Sequence, residues 1–341
     1  MHKQRLDQSK QEKSIGSIDD LWSVGVPKEQ IKTVQYNNGT YFGTLSGEKR
    51  HGMGKFLDKS GVRYEGQWYD DMQHGKGKLV YPDGGSFVGE FQHGTRSGFG
   101  LNIQSNGVQY KGEYLKGEKH GRGKLTFAGG STYLGEFHNG EMQGMGITKS
   151  PNGASSRGYF FQNKLHDNKG EILFANKGKY VGGVKMGKMH GRGVYRSPAG
   201  IIYEGEFNED AQHGHGKITY PRGGWYEGAM VNGEKHGTGT NVEPNGVKYE
   251  GHWVKGYKQG VGKITFPNEA FYIGDFHSGR IHGTGIFTEK SFRIHRATWK
   301  PKRKGALVVG TKVDGTTVVF NSETGEFVSE TTEPVVEKVE E

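Results

Sequence analysis

Cysteine is absent from all 341 residues, which excludes disulfides, thiolate metal ligands and a cysteine nucleophile. No apolar run approaches the roughly 18 residues that a membrane-spanning helix needs. The opening stretch, MHKQRLDQSKQEKS, has no apolar centre, so a secretory leader is not expected and a reducing, cytoplasmic setting is. Proline is scarce at nine residues, too few for a proline-rich disordered chain. Hydrophobic residues make up only 31%, which leaves little for a thick aliphatic core. Glycine is present in force, at 60 of 341 residues, against roughly 7% in ordinary domains. Aromatic residues reach 12%. Together these suit a thin structure in which each ring buries a large area and glycine lets backbones approach closely. The net charge of +9 permits an anionic partner without choosing one.

A period runs through the chain. Aligned on an aromatic followed two residues later by glycine, units begin at Tyr41, Tyr64, Phe87, Tyr110, Tyr133, Ser156, Tyr180, Tyr203, Tyr226, Tyr249 and Tyr272. The spacing is 23 residues throughout, except for 24 between Ser156 and Tyr180. Within a unit the pattern is Tyr-x-Gly-x-(aromatic or aliphatic), a turn, His-Gly-x-Gly, then a second apolar run. The signature residues are Tyr41, Gly43, His51, Gly52 and Gly54 in the first unit, and Tyr64, Gly66, His74, Gly75 and Gly77 in the second. Tyr110, Gly112 and His120, and Tyr203, Gly205 and His213, repeat it. Both segments of each unit alternate in polarity, as in Tyr203, Gly205 and Phe207 against Glu204 and Glu206. Period-2 alternation bounded by glycine turns predicts one β-hairpin per unit, and consecutive hairpins predict an antiparallel meander.

This signature resembles the MORN repeat (membrane occupation and recognition nexus) from residue 41 to about 290. The resemblance implies an elongated β sheet used for assembly and docking rather than for chemistry. Independently, a lone hairpin is marginal and stacked neighbours supply the buried face. Two strands per unit at about 4.8 Å each give a rise of about 10 Å per repeat. The unit from Ser156 lacks the aromatic, has Asp167 in place of a glycine and carries the extra residue, so a bulge or bend is expected over 155–179.

Several features imitate catalytic sites. Eight of the 15 histidines share one repeat position: His51, His74, His120, His166, His190, His213, His236 and His282. Copies about 10 Å apart cannot share one metal ion, whose ligand nitrogens lie at 2.0–2.1 Å from it. A packing or hydrogen-bonding role near the turn is expected, with no metal. The Gly-x-Gly pairs recur without a strand-to-helix transition, and GxxxxGK[ST] is absent, so no phosphate loop and no cofactor are expected. Recurrent Glu65, Glu90, Glu113, Glu136, Glu204, Glu206, Glu227 and Glu250 read as a solvated strand face. No Ser-His-Asp arrangement is marked, so a non-enzyme is expected.

Basic residues near the turns are the candidate partner site: Lys49, Arg50, Lys76, Lys78, Lys119, Arg122, Lys188, Arg192, Lys258 and Lys263. Stacked in register, they would line one edge and face anionic phospholipid or an acidic protein surface; the alternative is that they keep a β structure soluble. Nucleic acid is disfavoured because the aromatics fall at inward-facing positions.

The expected organisation is a polar and helical extension over 1–35, the repeat array over 36–291, a basic segment and small β-hairpin cap over 292–328, and an acidic disordered tail over 329–341, with the acidic run beginning at Glu323. Ser17 to Asp20 suits a helix cap and Pro27 the first turn of a second helix. The segment from Phe292 to Lys304 holds six lysines or arginines and no acid. The function this predicts is a scaffold for protein–protein assembly in a cytoskeletal or ciliary axonemal complex similar to radial-spoke-head members of the family. Self-association as a homodimer is compatible with exposed sheet ends. The alternative is a peripheral adaptor that binds anionic membrane lipid through the basic turn edge.

Overall fold

A computed structural model describes residues 30–301 and 307–332. The chain divides into two compact units, one up to Lys164 and one from Leu165. Each is an antiparallel meander of strands, and the expected helices at the N-terminus lie outside the described residues. The N-terminal extension ends earlier than expected, because Lys32–Tyr36 already forms a strand paired with Gly39–Ser46.

The hairpin of Arg63–Tyr69 and Met72–Val80 shows how a unit is built. Its two turn residues, Asp70 and Asp71, both have positive φ (47° and 67°), the geometry of a type I′ turn that matches strand twist. The second turn residue also binds the preceding repeat: Asp71 donates its N–H to the Arg50 carbonyl at 3.0 Å, and its carboxylate accepts the Arg50 N–H at 2.9 Å. Asn163 with Met142 and Asp210 with Met189 repeat this pair of bonds; where the residue is glycine the backbone bond alone remains, as from Gly117 to Arg96 at 2.9 Å.

Past the turn the pairing slips. Trp68 faces Gln73 and Gly66 faces Gly77, so three residues oppose Gln67 alone. Gly75 takes up the slack at φ 57°, where a β-carbon would lie 2.0 Å from the Gln67 amide oxygen. That bulge recurs along the chain and accounts for the His-Gly dipeptide.

The second glycine of the motif has a different reason. Gly66 and Gly77 face each other, and the Tyr64 ring lies on the pair: a β-carbon on Gly77 would meet the tyrosine oxygen at 2.4 Å. Tyr64 is 2% exposed. Its hydroxyl donates to the Gln67 carbonyl at 2.8 Å, so the one polar atom of the ring is satisfied. The same bond recurs in the other tyrosine-led units, for example from Tyr110 to Glu113 at 2.9 Å and from Tyr203 to Glu206 at 2.8 Å. Successive rings then meet edge to face. In the first unit Tyr64, Phe91, Phe87, Tyr114, Tyr110, Phe137, Tyr133 and Phe160 form an unbroken chain of contacts at 4.9–5.2 Å. Such pairs contribute about 0.5–1.5 kcal/mol each beyond burial, which is how a sheet one layer thick makes a core.

The unit lacking the aromatic is irregular. Ser156 spends its hydroxyl on Thr148 at 2.5 Å. In the second compact unit the register of Asp167–Leu173 shifts between Asp167 and Gly170.

The C-terminal region differs from the expectation in two ways. Ile294–Pro301 continues the repeat register: His295 falls 23 residues after Tyr272, Ala297 faces Gly285, and the Trp299 indole donates to the Gly285 carbonyl at 2.9 Å. Trp68 and Trp253 make the same bond to Gly54 and Gly239, so a twelfth leading strand is present with histidine in place of tyrosine. The cap is also larger than a hairpin. Leu307–Thr311, Thr317–Asn321 and Phe327–Thr331 form three strands, so part of the acidic run expected to be disordered is paired. The reason is burial: Phe327 stacks on His295 at 5.4 Å, Phe320 on Phe287 at 4.1 Å, and Glu330 takes ion pairs from Arg293 and Lys312. Of the expected tail, residues 333–341 lie outside the described residues.

Candidate functional site

The sheet of each unit has an aromatic face and a charged face. The residue before the motif histidine lies four positions ahead of the ring-bearing glycine, and therefore on the aromatic face. In five units it is a cation. Arg50 sits 4.3 Å from the Trp68 ring, Arg96 5.4 Å from Phe87, and Lys119 5.6 Å from Phe137. In the second compact unit Lys235 lies 4.7 Å from Tyr226 and 4.8 Å from Trp253, and Lys258 5.1 Å from Tyr249. These are cation–π distances.

The cations differ in how they are held. The Arg50 guanidinium donates to the Asp71 carboxylate at 3.1 Å and to its carbonyl at 2.8 Å. Arg96 reaches Asn102 at 3.3 Å, Lys235 reaches Asn241 at 2.7 Å, and Lys258 lies 3.7 Å from Glu243. The Lys119 ammonium has no hydrogen-bond or carboxylate partner among the described residues. Burial against the rings pushes the Lys119 and Lys258 amines down, and pushes Lys235 down to about 8 with Lys258 adding repulsion. The tyrosines beneath are pushed the other way by burial, Tyr226 and Tyr249 to about 12, so they remain neutral donors.

The ten basic residues expected along one edge fall in three places. Arg50, Lys119 and Lys258 are on the aromatic face. Lys49 and Lys188 open their strands at the turns, where they pair with Asp70 at 3.6 Å and Glu209 at 3.2 Å. Lys76, Lys78, Arg122, Arg192 and Lys263 are in mid-strand on the charged face. Each has a glutamate as a direct cross-strand neighbour: Lys76 faces Glu90, Lys78 faces Glu65, Arg122 faces Glu136, Arg192 faces Glu206, and Lys263 faces Glu250. Positive and negative charges are interleaved there, and no single-sign ladder forms.

The motif histidines pack beside the turns. His74 lies 5.5 Å from Tyr69 and 5.3 Å from His93, and His120 5.1 Å from His138. Among the described residues no group of three histidines or carboxylates is placed to hold a metal ion.

One role was missed in the sequence. The glutamates at the fourth position do not simply face water. The Glu113 carboxylate accepts the Arg122 N–H at 3.0 Å, Glu136 accepts that of Met145 at 3.2 Å, and Glu206 that of His215 at 3.3 Å. Gln67 and Asp275 do the same for Lys76 and Thr284. Each satisfies the donor that the bulge strands. The recurrence of an acceptor after Tyr-x-Gly was the available signal.

Solved structures offer weak likenesses. The TCP domain of SAS-4 (dCPAP) of Drosophila melanogaster, in complex with a proline-rich motif of Ana2 (dSTIL), is 14% identical over 46% of this chain and 85% of its own, with a TM-score of 0.29. The wild-type TCP10 domain of Danio rerio CPAP is 12% identical over 65% of this chain and 99% of its own, with a TM-score of 0.34. Virginiamycin B lyase from Staphylococcus aureus reaches a TM-score of only 0.14 at 12% identity, over 85% of each chain. Scores this low carry nothing over to this chain. No curated protein sequence matches it. The MORN repeat profile does match, over residues 41–63, 64–86, 87–101, 110–132, 133–155, 180–201, 203–225, 226–240, 249–270 and 272–288, passing over the irregular unit. Those segments make up more than half of the sequence and contain the tyrosines, paired glycines and bulges described above, and the chain belongs to the MORN repeat family.

Proposed function

We propose that this chain is a non-catalytic scaffold on which other proteins assemble. The observation that supports this is the set of cations over the rings of the aromatic face. They are already stripped of much of their water and held in place, so a carboxylate on a partner meets a pre-organised charge with little further cost. Lys119, which lacks a carboxylate of its own, is the best placed. We place the assembly in the cytoplasm, in a cytoskeletal or ciliary axonemal complex. That placement rests on the resemblance of a repeat-only layout to radial-spoke-head and basal-complex members of the family.

The competing reading is an adaptor for anionic phospholipid. It draws on the charged-face and turn cations, which have acidic neighbours, and is therefore the weaker. Among the described residues no helix is long and apolar enough to cross a membrane.

The test is fractionation of the tagged protein from cells treated with non-ionic detergent. The scaffold reading expects retention in the insoluble cytoskeleton, and severalfold less retention for a Lys119→Glu/Lys235→Glu variant. Release with the solubilised lipid, together with salt-sensitive sedimentation on phosphatidylserine vesicles, would overturn it.

A further inference from the structure

The charged face changes character at the end of the array. Around Glu227 the cross-strand neighbours are Lys217 and Thr240. Ile273, in the equivalent position of the last full repeat, faces Ile286, and Ile286 faces Arg296 of the twelfth leading strand. Two residues along each strand, Thr284 faces Thr298, and Thr298 faces Thr311 of the cap. A further step brings Lys300 opposite Val309. The small threonines form a floor between two taller walls, and the result is a groove of about 1090 Å³ running across the strands.

Its lining is apolar and basic together. Val261, at the bulge, is 61% exposed and Ile273 41%, large values for aliphatic side chains of a sheet. Arg296 and Lys300 are exposed and form no ion pair among the described residues. Asp275, the carboxylate in the lining, is already occupied by the Thr284 N–H and hydroxyl, both at 2.9 Å. The threonine floor adds the hydroxyls of Thr298 and Thr311 as donors.

We infer that this groove docks an extended acidic segment of a partner protein, in which carboxylates alternate with aliphatic side chains. The carboxylates meet Arg296 and Lys300, whose guanidinium and ammonium need anions. The aliphatic side chains cover Ile273, Ile286 and Val261. Aliphatic walls with no ring to stack on disfavour a nucleic acid strand. A groove across the strands is shaped for an extended chain and not for a flat bilayer. This site is separate from the aromatic-face reading: Trp299 and Phe287 point to one face, Thr298 and Ile286 to the other.

The test is fluorescence polarisation of the full-length chain with a fluorescein-labelled heptapeptide of alternating glutamate and valine. Saturable binding is expected, weakened about tenfold or more by Arg296→Glu/Lys300→Glu and by Ile273→Asn, and unchanged by Lys76→Glu/Lys78→Glu on the charged face of the other unit. All these residues are on the surface, so circular dichroism of each variant should match the parent. Equal affinity of parent and Arg296→Glu/Lys300→Glu would overturn the inference. So would equal binding of an all-glutamate peptide, which would reduce the site to charge alone, or tighter binding of a single-stranded oligonucleotide lost in the same variant. If the peptide binds only after Glu333, Glu337, Glu340 and Glu341 are changed to glutamine, the chain's own acidic end is the occupant and the partner assignment fails.

Discussion

Replacing Gly216 with alanine tests the central claim about this core, that the second motif glycine is there for the ring and not for the backbone. A β-carbon at Gly216 would lie 2.4 Å from the Tyr203 oxygen and 2.5 Å from its Cε2, where ordinary contact starts at 3.4 Å. The ring must therefore retreat by about 1 Å. Tyr203 is fully buried and braced edge-on by Phe207 at 5.0 Å, and its hydroxyl bond to Glu206 is 2.8 Å long. If neighbours give way the cost is that of overpacking, about 1–3 kcal/mol; if the ring leaves its seat it approaches the about 3–5 kcal/mol of an aromatic truncation. We expect about 3 kcal/mol. In a Tyr203→Ala background nothing occupies the space, and alanine should be favoured over glycine in a strand by about 0.5–1 kcal/mol. The double-mutant cycle should thus show a coupling of about 3.5–4 kcal/mol. Because repeat arrays open locally, the readout is amide hydrogen exchange over residues 202–219, alongside the urea midpoint. If Gly216→Ala costs the same with and without Tyr203, the ring is not the reason for the glycine.

Three further outcomes are expected. Tyr203→Phe removes the donor to the Glu206 carbonyl and should cost about 1 kcal/mol in the urea midpoint, with the ring contacts intact by near-ultraviolet dichroism; a neutral result would mean that the carbonyl finds water. Glu113→Ala should cost about 1 kcal/mol and speed exchange of the Arg122 amide, whereas Glu65→Ala, which caps no bulge and loses the surface pair to Lys55 at 2.7 Å and the cross-strand neighbour Lys78, should stay within about 0.5 kcal/mol. Lys235 binds its proton less tightly folded, at about 8, than unfolded, near about 10.4. Between those values the unfolded state holds more protons, so stability should rise with pH from about 8 to about 10; below that window both states are protonated and the slope vanishes. A Lys235→Gln variant should lack the rise, and an unchanged slope would remove Lys235 as its source.

Much of this molecule is readable by counting along the chain. The hairpins, their turns and the buried tyrosines follow from a 23-residue period with period-2 alternation inside it, because each ring is covered by its own repeat and the next, both close in sequence. Counting four residues back from Gly54, Gly123 and Gly262 also puts Arg50, Lys119 and Lys258 on the aromatic face; grouping them with the other cations by nearness to the turn hid that. The twelfth leading strand was hidden because His295 and Ala297 replace the tyrosine and glycine of the motif, and only the pairing with Gly285 and the Trp299 bond identify it. The repeat, the strands and the family thus follow from residue order. The tertiary structure alone decided that Glu113 and its counterparts cap a bulge, that charged-face cations are matched by glutamates, and that the twelfth strand and the cap raise walls around a threonine floor. Each of these depends on register between strands, and a bulge sets register through a backbone donor left without a partner, which no residue count along the chain displays.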